Sequence, residues 1–260
     1  MKSNLMILIR TELSRIWTPG KIIVAAVLTL LACVISILPV IFGWLNDIPT
    51  FNLEFSEMAI NILKIIVPFS ALFFASGIIS NDIKNHWLRA VLSHAVTRQD
   101  VLLAKIISAT ISVFIMIIAI GILPILVFDL SSEVDFAYSF WATIQVVLYF
   151  TLEAALFVTI ASWLSCFVGG FMNIFFLAGW MFLDNVVIKG ILSMWLSANT
   201  TGGIIMDFFF PSGFSEAAVI AGGSGSFPTE FLLWGLAALA FFTAAGLFHI
   251  NYINIDTNSD

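Results

Sequence analysis

Charge is scarce in this chain. Only 10% of its 260 residues are Asp, Glu, Lys or Arg, where soluble domains carry about 25%. The formal charge of −6 comes without any basic patch, which excludes a nucleic-acid-binding surface. Histidine is rarer still. His86, His94 and His249 lie too far apart along the chain to suggest a metal centre, and no Ser/His/Asp or Cys/His set points to hydrolysis. The two cysteines, Cys33 and Cys166, fall in or beside apolar runs and make neither a disulfide framework nor a metal site. No cleavable signal peptide is evident. The first apolar run starts at Ile22, is too long for a signal core and has no small-residue cleavage pattern close behind it. Nor is there a G-x-x-x-x-G-K-[ST] phosphate loop; Gly222-Gly223-Ser224-Gly225-Ser226 is glycine-rich but lacks the lysine. An active process would need its energy from another chain.

What is present in excess is apolar surface, at 61% of residues. A soluble fold of this length could not hide that much. A bilayer accepts it, and helices satisfy their own backbone there. A hydrocarbon core about 30 Å thick takes roughly 20 apolar residues as a helix. Six spans of that kind can be read: 22–44, 62–80, 106–128, 140–164, 171–188 and 232–250. The fourth and fifth are parted only by a tight turn at Gly169-Gly170. The apolar stretch Ile191–Phe210 is interrupted by Asn199, Thr200, Thr201, Gly202, Gly203 and Asp207, so 189–231 reads as an external, partly re-entrant loop.

Lysines and arginines set the orientation. Lys2, Arg10, Arg15 and Lys21 precede the first span, and Lys84, Arg89, Arg98 and Lys105 lie between the second and third. That side is read as the cytoplasm. The loops Leu45–Asn61 and Asp129–Ser139 are acidic and carry no Lys or Arg, as expected of external loops. An even number of spans returns the C-terminus to the cytoplasm. Lys189, near the outer end of the fifth span, and the lysine-free tail Asn251–Asp260 fit this less well. The expected location is the cell (plasma or inner) membrane, crossed many times, with both termini cytoplasmic.

Two segments are not spans. Lys2–Thr18 reads as an amphipathic helix, with Leu5, Ile9, Leu13 and Ile16 at helical spacing, lying in the headgroup plane until Pro19-Gly20 turns the chain. It is either an orientation anchor or an elbow that touches a partner. The loop 81–105 is charged yet has its own helical pattern, Ile83, Trp87, Ala90 and Val91, against Lys84, Asn85 and Arg89. Trp and Arg are frequent interface anchors, so this loop is either a solvated topology signal or a docking element.

The run Ile79-Ser80-Asn81-Asp82, then Trp87 to Arg98, then Leu103-Ala104-Lys105, resembles the cytoplasmic loop of ABC-2 type permeases. Asp82 stands at the family's acidic position, and Leu92-Ser93, Val96-Thr97-Arg98 and Lys105 match its later steps. His86-Trp87 replaces the usual Gly-Thr, and Ala95 the usual Pro. Glu12-Leu13-x-Arg15 and Pro211-Ser212-Gly213-Phe214-Ser215-Glu216-Ala217 are similar to the family's opening helix and to its approach to the last span. The resemblance implies an all-α polytopic membrane protein with six transmembrane helices, an N-terminal interfacial helix and a cytoplasmic coupling helix. It implies the permease subunit of an exporter, not an enzyme, working beside a second permease copy or homologue. A pair of separate ABC ATP-binding subunits would hold the ATP and magnesium, and this chain would hold no cofactor. Asp82, Lys84, His86, Trp87, Arg89 and Arg98 are then the candidate ATPase-coupling residues.

Within the membrane the polar candidates are Glu153, Asp184 and Asn173. Glu153 lies mid-span, where burial favours the neutral carboxyl unless it is paired. It is either a substrate, proton or dimer contact or a neutral acid bonded to a neighbouring helix. Asp184 and Asn185 sit near Lys189, one turn apart, in the manner of a helix end. Asn173 and Gln145 are typical interhelical hydrogen-bonders. The alternative to a permease is an ATP-independent secondary transporter or membrane sensor built on Glu153. An intramembrane enzyme would need paired groups at one depth, and Glu153 and Asp184 differ in depth.

Overall fold

The computed structural model describes residues 2–45, 51–92, 96–122, 136–182 and 229–252. Every regular element among them is helical. The helices are α1 (Lys2–Ile16), α2 (Pro19–Leu45), α3 (Phe51–Ala75), α4 (Ser80–Lys84), α5 (Trp87–Leu92), α6 (Arg98–Ile117), α7 (Phe136–Leu164), α8 (Gly170–Phe182) and α9 (Thr229–Ile250). A π-helical turn, Ile118–Ile122, continues α6.

α7 is the hub, packed by α3, α6 and α9. Leu63, Val67, Ala71 and Phe74 present one buried stripe of α3, and Tyr149, Phe150, Ala154, Phe157 and Ala161 bury the facing side of α7. Lipid is as apolar as these side chains, so van der Waals fit rather than water exclusion holds such helices together. Small residues serve that fit. Ala104, Ser108 and Ser112 make a buried stripe on α6, and Ser108 Oγ donates to the Ile9 carbonyl of α1 at 3.1 Å.

Among the described residues, three segments are long and apolar enough to cross a membrane: Ile62–Lys84, Arg98–Ile120 and Ile144–Leu164. A fourth arises if the bent pair Leu5–Ile16 and Pro19–Leu31 counts as one, with 73° between its halves. Pro19 makes that corner, because a proline at the first helical position forfeits no hydrogen bond. The last helix contributes a shorter apolar stretch, Gly235–Ile250.

Several sequence boundaries shift. α6 begins at Arg98 rather than near Ile106, because Thr97 and Asp100 form a capping box. Thr97 Oγ1 accepts from the Asp100 amide at 3.1 Å, and Asp100 Oδ2 accepts from the Thr97 amide at 3.3 Å. The second span also differs. Its helix runs from Phe51 and stops at Ala75, where Gly77 takes φ 69°, a left-handed turn that costs glycine nothing. The single loop helix expected through Ile83 and Val91 is two short helices, parted at His86 with φ 56°. Ala90 is therefore exposed, and Leu88 takes the buried place.

α1 also differs from a helix lying free among headgroups. It packs along α6, with Ile16 and Glu12 buried and Met6, Ile7 and Arg10 outward. The expectations placed on His94, Pro211–Ala217, Asp184, Asn185 and Lys189, and on 189–228, lie outside the described residues. The fifth span is described only as far as Phe182.

Candidate functional site

One end of the bundle collects α1, the α4–α5 segment, the start of α6 and the ends of α7 and α9. At its centre α1, α4 and α6 each contribute charge. From α1, Glu12 Oε1 accepts from Arg15 Nη1 at 3.0 Å, and Glu12 Oε2 accepts from Lys105 Nζ of α6 at 3.0 Å. On α4, Asp82 receives the Arg15 guanidinium in two places, Nη2 on Oδ1 at 2.7 Å and Nη1 on Oδ2 at 3.3 Å. The same Asp82 Oδ2 pairs with Lys105 Nζ.

The result is a closed ring in which each carboxylate touches both cations. Trp87, first residue of α5, covers it: its ring centroid lies 3.7 Å from Arg15 Cζ and 4.8 Å from Lys105 Nζ. The charges sum to zero, which makes burial tolerable. Glu12, Asp82 and Lys105 are 2%, 4% and 1% exposed. Desolvating such ions costs several kcal/mol each and is offset only when every one is paired. Arg15 is the accessible member, its side chain 34% exposed. Burial draws its pKa down, but the hydrogen bond to Asp82 and the charges of Glu12 and Asp82 prevail and raise it above its ordinary value.

Of the six loop residues singled out from sequence, two belong to this ring: Asp82 as a member and Trp87 as its cover. Asp82 is turned inward. Lys84 and His86 are exposed beside it. The Lys84 ammonium reaches across the α7–α8 turn, 3.6 Å from where a side chain on Gly169 would begin. Arg89 lies in α5. Arg98 sits apart from the ring and ties down the last helix, donating from Nη1 to the carbonyls of Ile250 at 3.4 Å and Asn251 at 3.1 Å. A cation there satisfies orphan carbonyls and the negative end of the helix dipole.

Three ring members, Glu12, Arg15 and Lys105, were not among those candidates. Their signals were in the sequence. Glu12 interrupts the apolar face made by Leu5, Ile9 and Ile16, and Lys105 sits between Ala104 and Ile106 in an apolar run. An ionisable group on a buried face needs a partner.

The membrane candidates lie elsewhere. Glu153 is buried midway along α7, on one stripe with Gln145 and Tyr149. Asn173 is buried on α8, where its Nδ2 donates to the Ala161 carbonyl of α7 at 2.9 Å. That is a helix-to-helix tie. No group of three or more His, Cys, Asp or Glu able to hold a metal occurs among the described residues.

The family model for the ABC-2 family transporter protein matches residues 47–210, well over half the chain. That range takes in α3 to α8 and the whole loop 81–105, and it leaves α1 outside. No curated protein matches the chain. The family is one of membrane-embedded transport components rather than catalysts. By the extent of that match, and with an all-helical bundle bearing a charged loop at one end, this chain belongs to the ABC-2 family of transporter proteins.

Proposed function

We propose that the chain is the membrane-spanning permease of an ATP-binding cassette exporter, driven by a separate ATP-hydrolysing subunit that docks on the segment 81–105. Six helices cross the membrane and both termini face the cytoplasm. Two such chains, identical or homologous, enclose the path and carry two ATP-binding subunits, which hold the ATP and magnesium.

The observation that carries this reading is the seating of α5. It is a short helix at one end of the bundle, with Leu88 buried and Trp87 on the charge ring, and with Lys84, Asn85, His86 and Ala90 exposed. A helix anchored on one side and open on the other suits a rigid partner groove. Force applied there reaches α1 and α6 through Asp82, Glu12 and Lys105, which are charge-paired and cannot part without stranding buried ions. Closing of the ATP-binding subunits would therefore rotate the helix ends together.

The test is affinity purification from native membranes with the exposed face altered. Ala90→Glu and Lys84→Glu should abolish recovery of an ATP-binding subunit while leaving insertion and monodisperse elution intact. Trp87→Ala and Arg89→Ala should weaken it. Recovery of the same subunit at parental yield with all four variants would overturn the docking role.

A further inference from the structure

α4 has a defective start. Its N-cap residue, Ile79, has an apolar side chain and makes no cap hydrogen bond of its own. The first amides of a helix have no intrahelical acceptor and normally take a side-chain oxygen from the N-cap residue itself. Here the oxygen comes from 86 residues away in the chain. Ser165 Oγ, just past the end of α7, accepts from the Ile79 amide at 3.0 Å and from the Ser80 amide at 3.1 Å. Ser165 itself is firmly held. It is 1% exposed, and its amide donates to the Ala161 carbonyl at 2.9 Å. On the other side of these amides α3 has ended and Gly77 turns left-handed, and the turn is held by backbone bonds of its own, from the Ile78 amide to the Ala75 carbonyl at 3.3 Å and from the Asn81 amide to the Gly77 carbonyl at 2.9 Å.

We propose that Ser165 is a positioning residue for the docking segment: it caps α4 from another helix, so that α4 and α5 are fixed to α7 as well as to α3, which precedes them in the chain. Lys84, lying over Gly169, adds a second contact between the same two regions. The consequence for coupling rests on the docking role proposed above; the capping itself does not. Beside the route through the charge ring to α1 and α6, a second path of force then runs from α5 through α4 into α7, the hub of the bundle.

The experiment compares the parent, Ser165→Ala and Ser165→Thr, the last retaining the acceptor oxygen. Amide hydrogen exchange of the solubilised chain is read over 78–92 and over α6 and α7. Ser165→Ala should raise exchange at Ile79 and Ser80 about tenfold and leave α6 and α7 at parental rates, and Ser165→Thr should restore protection. Unchanged exchange at 79–80, an equal rise throughout α6 and α7, or failure of threonine to rescue would each overturn the capping role. With the co-purified ATP-binding subunit in liposomes, Ser165→Ala should keep the subunit bound yet lower its permease-stimulated ATP hydrolysis. Retained stimulation would overturn the force path. If the parent recovers no ATP-binding subunit, the docking reading fails, while the exchange comparison still decides the capping.

Discussion

Removing Lys105 from the charge ring tests whether its four members act as a unit. Lys105→Met keeps the length of the side chain and deletes the charge. It leaves Glu12 and Asp82, both nearly inaccessible, with Arg15 alone between them. Breaking one side of a buried pair costs about 3–5 kcal/mol, because the partner stays buried and uncompensated. At about 2–4 °C per kcal/mol for a chain of this size, the unfolding midpoint in detergent should fall by roughly 6–20 °C. Glu12→Gln should cost about as much, since it leaves Lys105, at 1% exposure, and Arg15 to share Asp82 alone. The double variant restores neutrality, with Arg15 and Asp82 still joined in two places. Its loss should therefore fall short of the summed single losses by about 1–3 kcal/mol. The assay is thermal unfolding of the four proteins in one detergent, followed by tryptophan fluorescence. Additive losses would refute the ring, and would mean that Glu12 and Lys105 contribute separately.

Three further outcomes follow from local geometry. His86→Gly should stabilise α4–α5 by about 0.5–1 kcal/mol, because a left-handed residue with a Cβ is strained by roughly 1–2 kcal/mol and this one is exposed; a lower unfolding midpoint would contradict this. Arg98→Ala should speed amide exchange over 248–252 without altering exchange in α6, as the last carbonyls of α9 lose their donor; unchanged exchange there would remove its capping role. Burial pushes the Cys166 thiol up to about 12, so at pH 8 its alkylation should run about a thousandfold slower than that of the unfolded chain. Because the folded state holds this proton more tightly, its contribution to stability is complete below pH 9 and fades as pH rises toward 12. A rate that levels off near pH 9 would show the thiol to be unperturbed.

Much of the bundle was legible because membrane helices announce themselves by length and apolarity. The helices Pro19–Leu45, Phe136–Leu164 and Thr229–Ile250 lie within a few residues of the spans read from sequence. The loop was legible as a separate unit, but its edges were not. Thr97-x-x-Asp100 is a capping box written in the sequence, yet the charged residues around it read equally as loop. The break after Ala75 has only Gly77 to mark it. The ring was illegible for a different reason. Glu12 and Lys105 are 93 residues apart, and nothing local says that two awkward charges answer each other. The cover on the ring was hidden likewise: Trp87 looked like an outward anchor, and Arg15 claims its face. Ser165 gave no sign at all, since serine near the end of a span is ordinary.

The closure of the ring has a bearing on engineering. The loop 81–105, excised and transplanted into a relative, would carry Asp82 and Lys105 without Glu12 and Arg15, which come from the first helix of the chain. The smallest transferable module is discontinuous: the opening helix, the loop and the first turns of the helix that follows must be exchanged as a set. A chimera that swaps the loop alone inherits a mismatched half of a lock.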